Sequence, residues 1–209
     1  MRKGSTLICL GLLLIVAAAG LTGYNIFEDR HAGATAIQDL MLLQEARARS
    51  IETTPESQLP EAVLPEEPAD YESVPEMEMP VMEIDGREYV GTLELPTISR
   101  ALPVLNGWDA ELLQVAPCRY LGSAYSGNLI VMAHNYDSHF GRLKNLRIGD
   151  PVTFQDVEGN AFRYEVVSLE TLNPLETREM EEGDWDLTLF TCTVGGQTRV
   201  TVRCVLQED

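Results

Sequence analysis

The chain opens with an almost uninterrupted apolar run from about Thr6 to Leu21, extended through Gly23 and Tyr24 to Phe27, with Arg2 and Lys3 before it and Glu28 and Asp29 after it. A run of about 20 apolar residues is long enough to cross a bilayer as a helix. The flanking charges follow the positive-inside rule, so residues 1–27 are expected to be a cytoplasmic N-terminus and single-pass signal-anchor, with the remainder of the chain outside the cell membrane. The competing reading is a cleaved signal peptide, because Ala17-Ala18-Ala19-Gly20 offers small residues, but the run is long for the apolar core of such a peptide. Across residues 28–51, Ile37, Leu40, Met41 and Ala48 keep helical spacing and predict a juxtamembrane helix. Residues 52–85 then carry Pro55, Pro60, Pro65, Pro68, Pro75 and Pro80 among many carboxylates and no basic side chain. Such a segment is expected to be an extended linker.

From residue 86 to residue 209 the texture changes to short apolar alternations between turns. Strands are predicted at 88–95, 101–105, 128–134, 151–155, 161–169, 187–192 and 198–206, with a helical turn at 111–115 and a short helix at 139–146. Little helix and about eight short strands predict a mainly β fold, a closed β-barrel with short helices. Strand parity places Val200, Val202 and Cys204 on one face of the last strand and Arg199, Thr201 and Arg203 on the other. Cys204 is therefore expected in the core, Arg199 beside a groove, and Arg203 on the surface or in an ion pair.

Composition narrows the function. A formal charge of −18 over 209 residues repels phosphate backbones and argues against nucleic-acid binding. No internal repeat or glycine-rich phosphate loop occurs, and metal ligands do not cluster. No cofactor is expected; Glu176, Glu181 and Glu182 as a calcium-binding loop are weighed against ordinary solvated carboxylates. Cys9 lies in the apolar run, which leaves Cys118, Cys192 and Cys204 outside, and three cysteines cannot all pair within one chain. A disulfide between Cys118 and Cys204 is the one pairing compatible with a reactive Cys192, and the core position expected of Cys204 speaks against it.

The candidate chemistry lies in Thr188-Leu189-Phe190-Thr191-Cys192, with Arg199 after it and His134 before it at the end of an apolar run. A thiolate can attack a carbonyl, a histidine can exchange the proton, and an arginine can hold the oxyanion that forms. All three histidines, His31, His134 and His139, precede Cys192, which is the reverse of the papain order, and the caspase signature is absent. His139 is the rival of His134. Thr191 is a candidate to bind substrate or simply a β-former, and Asn135 is a candidate to hold the imidazole or bind substrate.

Together these residues resemble the sortase family of membrane-anchored cysteine transpeptidases of Gram-positive bacteria. Asn128-Leu129-Ile130-Val131-Met132-Ala133-His134-Asn135 looks like the family's strand ending in the active-site histidine, with Ala133 where Gly is commoner. Thr188 to Cys192 fits its Thr-Leu-x-Thr-Cys pattern, and Arg199 fits the arginine of its last strand. The resemblance covers roughly residues 88–205 and implies a sortase-like barrel. It further implies Cys192 as nucleophile, His134 as general acid and base, and Arg199 as stabiliser of the oxyanion or substrate. Cell-surface proteins with a Leu-Pro-x-Thr-Gly-like C-terminal sorting signal would be cleaved and passed to an amine of a lipid-linked peptidoglycan precursor or a pilin. The alternatives are a non-enzymatic extracellular binding barrel and a hydrolytic cysteine peptidase. Leu59-Pro60-Glu61-Ala62 and Leu64-Pro65-Glu66-Glu67 loosely mimic the start of such a signal, and a plain Pro/Glu-rich spacer is the simpler account.

Overall fold

A computed structural model describes residues 2–52 and 77–207. Most of the 52–85 linker, including both signal-like tetrapeptides, lies outside the described residues. The N-terminal helix α1 runs without a break from Arg2 to Glu52, so the expected division at residue 27 is not a division of the backbone. No proline interrupts this stretch, and the two halves differ in what covers them rather than in conformation. Among the described residues α1 is the one helix long and apolar enough to cross a membrane. Its apolar side chains from Leu7 to Phe27 are exposed, whereas Ala32, Ala36, Asp39 and Leu43, at helical spacing, are buried against the barrel.

Two features hold that second half in place. Asp39 accepts hydrogen bonds from Arg87 Nη1 at 2.8 Å and from Tyr89 Oη at 2.7 Å. This carboxylate is 3% exposed, and the paired guanidinium and hydroxyl offset the cost of burying its charge. Further back, Ser138 donates from its backbone N–H to Asp29 Oδ1 and from its hydroxyl to the Asp29 carbonyl, both at 2.9 Å. Gly33 permits this approach, since a Cβ there would meet Ser138 Cβ at 2.7 Å.

Among the described residues nine strands follow: β1 (Met82–Ile84), β2 (Arg87–Leu95), β3 (Arg100–Leu105), β4 (Cys118–Leu121), β5 (Leu129–Ala133), β6 (Pro151–Asp156), β7 (Ala161–Leu172), β8 (Leu187–Cys192) and β9 (Arg199–Leu206). They form one sheet in the order β1-β2-β3-β4-β5-β8-β9-β7-β6, and β2 also pairs with β6, which closes strands β2 to β9 into an eight-stranded barrel. Closure is tight at Gly91, where a Cβ would meet the Gln155 carbonyl oxygen at 2.2 Å. Leu93, Leu95, Leu129, Val131, Leu187, Leu189, Val202 and Cys204 fill the interior. Short helices α2 (Leu112–Val115) and α3 (Thr177–Glu181) lie in the connections.

Two local expectations are corrected. Residues 82–85, assigned to the linker, instead form β1 and the Asp85–Gly86 turn, whose φ angles of 50° and 76° are those of a tight hairpin, and Met79 just before is buried. The helix expected at 139–146 is reduced to one 3-10 turn at Leu143–Asn145. Here the chain folds back on itself: Phe140 donates to the His134 carbonyl, Gly141 donates to the Tyr136 carbonyl, and both Phe140 and Leu143 reach the core. All four cysteines are free, with Cys118 and Cys204 in separate core clusters, so they form no disulfide.

Candidate active site

Residues of β8 alternate between the two faces of the barrel wall. Leu187 and Leu189 enter the interior, while Thr188, Phe190 and Cys192 face outward. On β5 the same parity sends Leu129, Val131 and Ala133 inward and Ile130 outward, so His134, one residue past the strand, follows Ile130 and Met132. β5 and β8 are parallel neighbours with Ala133 opposite Thr191, and the next step in that register sets His134 beside Cys192. On the other side of β8, β9 is antiparallel with Arg199 directly opposite Cys192. Residues distant in sequence thus meet in one row, His134–Cys192–Arg199, at one end of three adjacent strands. Cross-strand partners of this kind share a face of the sheet.

All three are partly buried. The Arg199 guanidinium rests on the turn that follows β8, with Nη1 3.3 Å from the Gly196 carbonyl and 3.4 Å from that of Thr198. These are long contacts to neutral acceptors, and they leave most of its donors uncommitted. Burial holds the His134 imidazole below its ordinary pKa, so the neutral ring prevails at neutral pH. Its ring packs on Tyr136, with centroids 4.9 Å apart, and Tyr136 in turn packs on His139 at 5.5 Å. His139, the rival histidine, is fully buried under α1, and among the described residues neither ring nitrogen has a well-formed hydrogen bond. Desolvation, with the neighbouring His134 second, pushes it down to about 4, which leaves it a neutral packing residue.

The other cysteines contrast with Cys192. Burial raises the thiols of Cys118 and Cys204 to about 12, far from any useful thiolate fraction. Cys192 instead opens onto a cleft of about 270 Å³, lined also by Asn135, Phe140, Gly141, Lys144 and Val194. Asn135 therefore stands at the site. Thr191 is nearby, but its hydroxyl is buried and donates to the Ala133 carbonyl at 2.8 Å, so it ties β8 to β5 rather than offering itself to a substrate.

Arg203 departs most from expectation. It lies on the outer face, as parity predicts, yet it is 2% exposed because the β7–β8 connection roofs it. Its guanidinium donates to Glu170 Oε1 at 2.7 Å, to the Met180 carbonyl and Thr188 Oγ1 at 3.0 Å each, and to the Glu179 carbonyl. The ion pair is as expected; the surface position is not. Among the described residues no group of three or more His, Cys, Asp or Glu is placed to hold a metal. Glu176, Glu181 and Glu182 have separate partners in the Asn173 backbone N–H, the Tyr120 hydroxyl and Arg178.

The sortase-domain family model matches residues 93–207, more than half of the chain. The chain belongs to the sortase family. Solved sortases share the barrel: sortase A from Corynebacterium diphtheriae superposes with a TM-score of 0.54 at 23% identity, covering 59% of this chain and 62% of that one. Sortase C1 from Streptococcus suis gives 0.51 at 25% identity over 58% and 74% of the two chains. A sortase D5 transpeptidase from Clostridium perfringens gives 0.53 at 19% over 66% and 88%. The chain thus spans less than two thirds of the diphtherial structure it matches. No curated protein matches it. In this sortase the site also has walls that the sequence pattern did not reveal. Tyr24, Asn25, Glu28 and Asp29 of α1 approach Asn135, Tyr136 and Val194. The available signal was the small-residue set Ala32, Gly33 and Ala36, which marks a close helix contact without naming its partner.

Proposed function

We propose that the chain is a membrane-anchored cysteine transpeptidase acting on proteins with a Leu-Pro-x-Thr-Gly-like sorting signal. The alignment of His134, Cys192 and Arg199 in one row supports this reading. Neutral His134 takes the Cys192 proton as sulfur attacks the threonine carbonyl, and the oxyanion that develops is held by Arg199. Collapse of that intermediate breaks the peptide bond; His134 returns the proton to the leaving amine, and the acyl group stays on sulfur as a thioester. An incoming amine then attacks the thioester and gives a proton to His134, which restores the Cys192 thiol as the amide forms. The segment Leu7–Phe27 would hold the enzyme in the cell membrane with the barrel outside, where tethering raises the effective concentration of surface substrates and of lipid-linked peptidoglycan precursor or pilin acceptors.

The test is to incubate the full chain in nanodiscs with Leu-Pro-x-Thr-Gly-type peptides, with and without amines, and to follow the mass of the Cys192 peptide. A thioacyl adduct on Cys192, an amide product when amine is added, and complete loss of both in Cys192→Ala are expected. Acid as sole product even at high amine would make the protein a hydrolase, and no adduct would make it a binding barrel.

A further inference from the structure

A transpeptidase admits two substrates to one sulfur, and the structure has two clefts that meet beside Cys192. The first, of about 270 Å³, contains Cys192 itself. The second, of about 630 Å³, lies between α1 and the turns that follow β5 and β8. The two have Asn135 and Val194 in common, so the second lies directly beside the first, on the side of the helix. We propose that this second cleft receives the amine acceptor, with Glu28 of the anchor helix holding the acceptor's ammonium group beside the Tyr136 ring. The inference rests on the transpeptidase reading and adds the acceptor's place and the group that recognises it.

The charges on the two sides differ. The charged side chain lining the Cys192 cleft is Lys144, whereas those lining the second cleft are Glu28, Asp29 and Asp137. Two of these carboxylates are already engaged. Asp29 holds Ser138, and Asp137 is paired with Arg142 and Arg100. Glu28, half-buried, has no ion-pair or hydrogen-bond partner among the described residues. Its charge nevertheless reaches Tyr136, whose hydroxyl is held above its ordinary pKa first by burial and then by Glu28. An unpaired carboxylate next to an aromatic ring suits a primary ammonium and disfavours an anionic ligand. The location suits the same ligand, because the Thr22–Asp29 wall is the end of the apolar run and places the cleft at the membrane surface.

The experiment measures the ratio of amide to acid product from one Leu-Pro-x-Thr-Gly peptide, using the full chain in nanodiscs and triglycine amide as the amine. Glu28→Gln, at a side chain that holds nothing else in place, is expected to lower that ratio about fivefold by raising the KM for amine, as suits one partly screened charge pair. Glu28→Asp should recover part of it. Raising salt from 50 to 500 mM should lower the ratio in the native chain and leave it nearly flat in Glu28→Gln. Repeating the assay with triglycine carried on a nanodisc lipid separates a lipid-borne from a soluble amine source, since only a lipid-borne acceptor gains from sharing the bilayer. If Cys192 acylates normally and the ratio is the same in both chains, the second cleft is not the acceptor site. If Cys192 never acylates, the transpeptidase reading falls and this one with it.

Discussion

The two ends of the β8–β9 ladder present the same kinds of side chain to the same face and put them to opposite uses. At one end Arg203 stands opposite Thr188, roofed by the β7–β8 connection, with its guanidinium donating to four acceptors. At the other, Arg199 stands opposite Cys192 with no roof and two long contacts to neutral carbonyls. A saturated, desolvated cation stabilises the fold and has nothing left for a ligand. An unsaturated one at an open edge contributes little to folding and leaves its donors available to a ligand. Burial and partner count, rather than residue type, separate the structural arginine from the one proposed to do chemistry.

The largest test of this contrast is to remove each arginine in turn. Arg199→Ala should lower kcat/KM about 100-fold, roughly 3 kcal/mol of transition-state stabilisation, while unfolding stability changes by no more than about 0.5 kcal/mol. Arg203→Ala should do the reverse and cost about 3 kcal/mol of stability, because Glu170 and the roof carbonyls lose their donor together. The partial exposure of Glu170, 37% of its side chain, keeps that loss from being larger. Urea unfolding followed by the fluorescence of Trp108 and Trp185, set beside peptide cleavage rates, reads both quantities. Comparable stability losses in the two variants would erase the distinction.

Strand parity made most of the open end legible in advance. Seven of the nine strands lie close to the runs the sequence predicts, and the outward face shared by Arg199, Thr201 and Arg203 follows from the alternation along β9. Parity says which side of a wall a residue occupies, but not what lies beyond the wall. The roof over Arg203 comes from residues 173–186, a connection without periodicity, so its burial was invisible. β1 and β4, at three and four residues, are too short for alternation to register. The docking of α1 rests on Asp39 with Arg87 and Tyr89 and on Asp29 with Ser138, contacts between residues about 50 and 109 apart in sequence that no local pattern encodes.

A smaller effect is expected behind the open end, where His139 is buried neutral between α1 and the loop that carries His134. The unfolded chain binds this proton below a pKa of about 6.5, whereas the folded chain refuses it until about 4. Stability from this source is complete above pH 6.5 and is lost as pH falls from there toward 4. Between pH 7 and pH 5 it amounts to about 2 kcal/mol. His134, held down in the same direction, adds to the slope. His139→Leu should flatten the difference in unfolding free energy between these two pH values by about that amount. An unchanged pH dependence would mean that the ring is not held neutral by its packing.

The smallest effect decides how the open end is aligned. Thr191 is buried and gives its hydroxyl to the Ala133 carbonyl, a bond that links the residue before Cys192 to the residue before His134. Thr191→Val keeps the shape and removes the donor, at a cost of about 1 kcal/mol of stability. If the bond serves alignment, the ends of β5 and β8 loosen together: kcat falls several-fold and KM for the peptide holds, because the thiol and imidazole meet less often in a productive pose while the groove is intact. Were the hydroxyl a substrate contact instead, KM would rise with kcat preserved, and the separation between groups that hold the fold and groups that meet the ligand would have to be redrawn at this residue.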